Sequence, residues 1–146
     1  MNNIVKGMIA GFAGTVALSI LMAMKSAMGV MPNLDIIKML AGMVGAPIAV
    51  GWIVHFTIGT IAWGGAFAVL NDHVPGDSEI KKGLVFGVAA WLAMMLAVMP
   101  MAGAGFFGLN FGIMAPVMTL VLHLVFGAVM GWTYARLPSA DAKMTA

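Results

Sequence analysis

The sequence contains no cysteine, and only 8% of its 146 residues are Asp, Glu, Lys or Arg. The first absence excludes disulfides, thiolate metal sites and covalent c-type haem attachment. The second excludes a solvated surface, since about a quarter of a water-soluble domain is charged. Hydrophobic residues make up 62% of the chain and the mean hydropathy is +1.06. The solvent for most of this surface is therefore lipid. The seven basic residues are scattered, with a net charge of +2 and no basic stripe interleaved with aromatics. Nucleic acid is not an expected partner. There is no nucleophile–base pair, no paired carboxylates and no phosphate loop, so the sequence points away from a hydrolase or kinase and offers no catalytic residues.

Four apolar runs are long enough to cross a bilayer as helices, near residues 4–24, 47–70, 84–102 and 114–137. In the first, Lys6 is followed by an apolar stretch, as in a signal peptide, but the stretch is too long for one and reads as a retained span. Pro47 and Pro116 suit the first turn of the second and fourth spans, where a missing N–H costs nothing. Residues 71–82 (NDHVPGDSEIKK) form a polar turn with a helix start at Asp77 or Ser78, and His73, Asp72, Asp77 and Glu79 read there as a solvated loop. Residues 103–112 form an uncharged loop rich in glycine and phenylalanine. Residues 32–45 read as a short amphipathic helix capped by Asn33 and lying in the membrane interface, with Ile36, Ile37, Leu40 and Val44 on its apolar face. Trp52, Trp63, Trp132 and Tyr134 read as interface anchors, and Trp91 as a ring packed inside the bundle.

Basic residues set the orientation. With the N-terminus inside, Lys6, Lys81, Lys82, Arg136 and Lys143 are cytoplasmic and only Lys25 and Lys38 lie outside. Lys25 ends the first span and is expected to snorkel to the headgroups.

The spans repeat in pairs. Lys6-Gly7 through Gly11 lines up with Lys82-Gly83 through Gly87, and Ala46-Pro47 precedes His55 as Ala115-Pro116 precedes His123. The expected fold is an all-α membrane protein: one four-transmembrane-helix bundle of two duplicated helical hairpins (residues 4–70 and 80–137), plus a short interfacial helix. Gly7/Gly11, Gly83/Gly87 and Gly127/Gly131 have the small-xxx-small spacing that lets helix backbones approach.

His55 and His123 are the sharpest chemical feature. Ionisable groups within a span are costly and face the bundle interior. Each lies seven or eight residues past its proline, about 10–12 Å below the outer end at 1.5 Å per residue. Two imidazoles across a bundle are the arrangement that ligates haem b iron. Gly51, Gly59 and Gly127, each one turn from a histidine, would leave room for a porphyrin. The plainer reading is that each imidazole hydrogen-bonds a neighbouring helix.

Methionine comes next, with sixteen in the chain. Met24/Met28, Met39/Met43, Met95/Met99 and Met114/Met118 are i,i+4 pairs, each on one helix face. Thioether sulfur selects Cu(I), which makes Met24, Met28, Met95, Met99, Met114 and Met118 alternative copper ligands. Methionine is also a flexible apolar filler.

The stretch KGMIAGFAGT from Lys6 to Thr15, the Met-rich run to Pro32 and the span from Pro47 to Trp63 with His55 resemble small four-span bacterial inner-membrane proteins classed as a family of unknown function. The resemblance implies a bacterial inner-membrane location and brings no activity with it. The leading functional reading is a bis-His haem b electron-transfer protein or subunit, with a quinone as redox partner. The alternatives are a Cu(I)-binding or transport protein, and a non-catalytic assembly subunit of a larger membrane complex or homo-oligomer.

Overall fold

A computed structural model describes residues 1–138. Four helices are long and apolar enough to cross a membrane: α1 (Asn3–Ala27), α3 (Ile48–His73), α4 (Glu79–Met101) and α5 (Met114–Arg136). A short helix, α2 (Ile36–Met43), lies between the first two. The observed ends fall within a few residues of those expected from the apolar runs. Capping groups set several of them. Asn2 accepts from Ile4 N at 2.8 Å, Asp35 from Lys38 N at 3.1 Å and Ser78 from Lys81 N at 3.4 Å. Pro47 directly precedes the first turn of α3, and Pro116 lies in the first turn of α5.

The helices run up and down, so the start of α1, the end of α3, the start of α4 and the end of α5 share one end. Glycine seams bind each hairpin. In the first, Gly7 and Gly11 of α1 lie against Gly59 and Gly64 of α3, where a Cβ would run into backbone. In the second, Gly83 and Gly87 of α4 meet Gly127, Gly131 and the His123 carbonyl of α5. The two seams are built alike, each from two glycines of one helix against two of the next. Between the hairpins, α1 packs on α5, where a Cβ on Gly14 would lie 2.8 Å from the Phe126 carbonyl. Large apolar side chains such as Ile53 and Ile113 point outward and remain exposed, as a lipid-facing surface requires.

Two of the spans change pitch. The α3 helix passes through a π-helical stretch at Ile58–Trp63, and α4 through another at Met94–Val98. In α4 the widened turn immediately precedes Pro100, which has no N–H for the carbonyl one turn earlier. In α3 it coincides with the Gly59–Gly64 contact onto α1.

The interior has two apolar clusters. Phe67, Phe86, Phe126, Met130 and Tyr134 fill the end that carries the N-terminus, with Phe67 5.3 Å from Phe86 and 5.2 Å from Tyr134 between ring centroids. Leu34, Met94, Met95, Met99, Ala104 and Ala115 fill part of the opposite end.

Four expectations are corrected. The short helix is capped by Asp35, not Asn33, and its Ile37, Leu40 and Ala41 are buried, with a Cβ on Gly51 of α3 colliding with the Ile37 carbonyl. Its apolar face is thus spent on protein, while Val44 stays exposed. Lys25 turns back instead of reaching outward: its Nζ donates to the carbonyls of Leu34 at 2.6 Å and Met31 at 3.1 Å. Tyr134 is buried, with Lys6 Nζ 4.1 Å from its ring centroid. Trp63 points inward, edge-on to Phe86 at 5.8 Å. Trp132 is exposed, with the Arg136 guanidinium 4.8 Å from its ring. Trp91 does pack inward, donating from Nε1 to Pro116 O and Thr119 Oγ1, both at 3.1 Å. Lys143 lies outside the described residues.

Candidate functional site: a cavity between the four spans

The glycine seams hold α1 to α3 and α4 to α5, and aromatic rings close the gap between α3 and α4 at the terminal end. Toward the α2 end the bundle forms a half-open cavity of about 430 Å³. All four spans and α2 contribute to it. Its walls are mainly apolar, as in most small-molecule and cofactor sites. Trp52, Trp63, Leu122 and Phe126 are among them. Lys25, Ser26 and Asp35 lie at the end covered by α2 and the segment before it. Both π-helical stretches border the space, through Gly59 and Trp63 on one side and Met94 and Ala97 on the other. Such widened turns recur at functional sites.

His55 and His123 both line this cavity. They reach it from α3 and α5, and their hydrogen bonds differ. His123 Nδ1 lies 2.8 Å from the Thr119 carbonyl one turn earlier. A carbonyl only accepts, so Nδ1 carries the proton and Nε2 keeps its lone pair. Among the described residues, Nε2 has no hydrogen-bond partner. His55 Nε2 lies 3.1 Å from Ser19 Oγ of α1, and its ring sits edge-on to Trp52 and Phe56. Ser19 Oγ is also 2.7 Å from the Thr15 carbonyl.

The other anticipated residues scatter. Gly59 lines the cavity and lies against Thr15. Gly51 packs under α2, and Gly127 lies in the α4–α5 seam against Gly83. Met24, Met28 and Met114 are exposed, Met118 is half-buried, and Met95 and Met99 are fully buried in α4. The six thioethers do not meet in one cluster. Met95 Sδ instead faces the Thr119 hydroxyl at 3.8 Å. In the polar turn, Asp77 pairs with Lys81 at 2.8 Å, and Glu79 with Lys82 at 3.5 Å and with Asn71. Among the described residues no three His, Asp or Glu side chains gather as a metal cage.

Ser19, Thr15, Thr119 and Lys25 were not singled out as site residues from sequence. Thr119 carries a readable signal, four residues before His123 on the same helix face. Ser19 stands 36 positions from His55 and is found only by the packing of α1 on α3.

These features define a multi-pass membrane protein, a four-helix bundle with a half-open, mainly apolar cavity lined by two imidazoles. The chain belongs to a family of unknown function (DUF6789), whose model matches residues 1–145. No curated protein and no solved structure matches the chain.

Proposed function

We propose that the cavity holds a haem b ring between α3 and α5, making this an electron-transfer protein or subunit of a bacterial inner membrane. One observation carries the reading: His55 and His123, on two different helices, line the same mostly apolar space. The lone pair on the half-buried His123 Nε2 has no hydrogen-bond partner among the described residues, and iron is a Lewis acid that would occupy it. The Nδ1–H bond from His123 to a carbonyl is the outer contact that orients metal-bound imidazoles and raises their basicity. The apolar walls would set the iron potential by excluding water. A quinol in the same bilayer is the natural class of electron donor. The termini face the cytoplasm in this reading, because Lys6, Lys81, Lys82 and Arg136 share one end of the bundle.

Haem content per chain in gently solubilised protein tests the proposal. His123→Ala is expected to lose most of the haem, while His73→Ala, in the polar turn, retains it. Equal haem in both variants contradicts the assignment of His123. A colourless wild type that co-purifies with a membrane complex points to an assembly subunit instead.

A further inference from the structure

We propose that the gap between α3 and α4 is a side entrance from the bilayer, where the head of a lipid-dissolved quinol lodges and donates a hydrogen bond to His55. The quinol class is taken from the redox reading above. The entrance itself stands on packing and on the state of one imidazole, and needs no haem.

Helix α1 packs on α3 and α5, and α5 packs on α4, but α3 and α4 share little packing. Trp63 and Phe67 of α3 meet Phe86 of α4 near the terminal end. Toward α2 the cavity lies behind the gap between them. Ile48, Trp52 and Ile58 of α3, and Ala93 and Ala97 of α4, line the cavity and are also exposed. Residues that do both stand on the rim of an opening. Ile58 lies ten residues into α3, and Ala93 eight before the end of α4. These positions are about 15 and 12 Å along the helices at 1.5 Å per residue. The hydrocarbon layer is about 30 Å thick, so this opening faces lipid. Its rim carries no charge, whereas Lys25, Ser26 and Asp35 gather at the α2 end. The π-helical stretches at Ile58–Trp63 and Met94–Val98 border the same gap, one on each side.

His55 sits just inside the rim, one turn from Trp52 and one from Ile58, with Trp52 edge-on to its ring at 5.9 Å. The hydroxyl proton of Ser19 goes to the Thr15 carbonyl, 2.7 Å away, which only accepts. The 3.1 Å contact between Ser19 Oγ and His55 Nε2 is then completed by the imidazole proton. Nδ1 of this neutral ring keeps its lone pair, and nothing among the described residues pairs with it. The ligand that suits the position donates a hydrogen bond, carries no charge and has an apolar body. A hydroxyl on an aromatic ring with a lipid-soluble tail meets all three demands. Two indoles, Trp52 and Trp63, are among the walls around it. In the haem reading His123 holds the iron, so the two groups use different imidazoles.

Binding of a tritium-labelled decyl benzoquinol, kept reduced with dithionite, to the full chain in phospholipid nanodiscs tests this. Uptake by empty nanodiscs is subtracted. The wild type is expected to bind about one quinol per chain, saturably. The quinol's dimethyl ether has no hydroxyl and should compete about tenfold more weakly, the scale of one hydrogen bond. Ala97→Trp fills the gap and should weaken quinol binding about tenfold. Leu96→Trp, at an exposed neighbour outside the cavity, should leave it unchanged. His55→Leu should bind quinol and ether equally, with the ether bound as well as by the wild type. Quinol uptake no greater than in empty nanodiscs overturns the inference. So does equal affinity of the wild type for quinol and ether, or identical binding by Ala97→Trp and Leu96→Trp. The Soret absorbance of the same samples reports haem separately. Haem without saturable quinol binding keeps the haem reading and overturns the entrance, and the reverse result keeps the entrance alone.

Discussion

Lys25 Nζ lies 2.6 Å from the carbonyl oxygen of Leu34, and the same ammonium reaches Met31 at 3.1 Å. The last turn of α1 thereby ties down the segment that leads into α2 and covers one end of the cavity. Leu34 itself is buried against the methionines of α4. Hydrogen bonds from a charged donor contribute about 1.5–3 kcal/mol each. Lys25→Met keeps the length of the side chain and removes the donors. It is expected to cost about 2 kcal/mol and to speed hydrogen exchange across residues 28–35. Unchanged exchange there would show that the contact holds nothing.

The glycine seams make a separate demand. A Cβ on Gly83 would enter the Gly127 carbonyl, and backbone cannot step aside as a flexible side chain can. Gly83→Val is expected to destabilise by about 1–3 kcal/mol, the usual range for overpacking, and to lower the thermal midpoint in detergent. Gly42, on α2, has nothing within 4 Å of a built Cβ and serves as the control. Gly42→Ala should be neutral or stabilising by about 0.5–1 kcal/mol, since alanine loses less backbone freedom on folding. Equal midpoints for the two variants would argue against the seam.

Orientation follows from charge. A reporter fused after Ala146, beyond the described residues, is expected to read cytoplasmic, and one inserted near Gly105 periplasmic. The basis is the gathering of Lys6, Lys81, Lys82 and Arg136 at one end. A periplasmic C-terminus would reverse the whole assignment.

For copper, Met24, Met28, Met95 and Met99 are the residues to change. Leucine is close to methionine in volume, and such swaps usually cost less than about 1.5 kcal/mol. Met95 and Met99 are fully buried on α4 while Met24 and Met28 are exposed on α1. The expected outcome of the fourfold change to Leu is unaltered metal content with expression intact. Loss of bound Cu(I) in that variant would favour the copper reading over haem.

Much of the fold was legible in the sequence because lipid leaves few options. A chain too poor in charge for water must satisfy its backbone internally, and apolar runs then mark the helices closely. The small-xxx-small pairs Gly7/Gly11, Gly83/Gly87 and Gly127/Gly131 pointed to the glycine seams. Side-chain direction was less legible. Lys25 was expected at the headgroups because its span ends there, but the Met31 and Leu34 carbonyls in the following segment offered nearer partners. Tyr134 was expected at the interface beside Arg136, yet it falls on the face of α5 that meets Lys6. Gly51 and Gly127 stood beside histidines in sequence, but their missing side chains admit α2 and α4. The π-helical stretches and the Ser19–His55 contact depend on how α1 and α3 meet, which no periodicity within one span encodes.

The central claim is that the cavity between α3 and α5 is a haem site, and the visible absorption spectrum of the solubilised wild-type protein tests it most directly. The account predicts a red protein with an intense Soret band, about one haem per chain, reversible reduction by dithionite, and loss of the band in His123→Ala. A folded, monodisperse wild-type protein with no visible absorption, unchanged after incubation with haem, would contradict it and leave His55 and His123 as hydrogen-bonding contacts between helices.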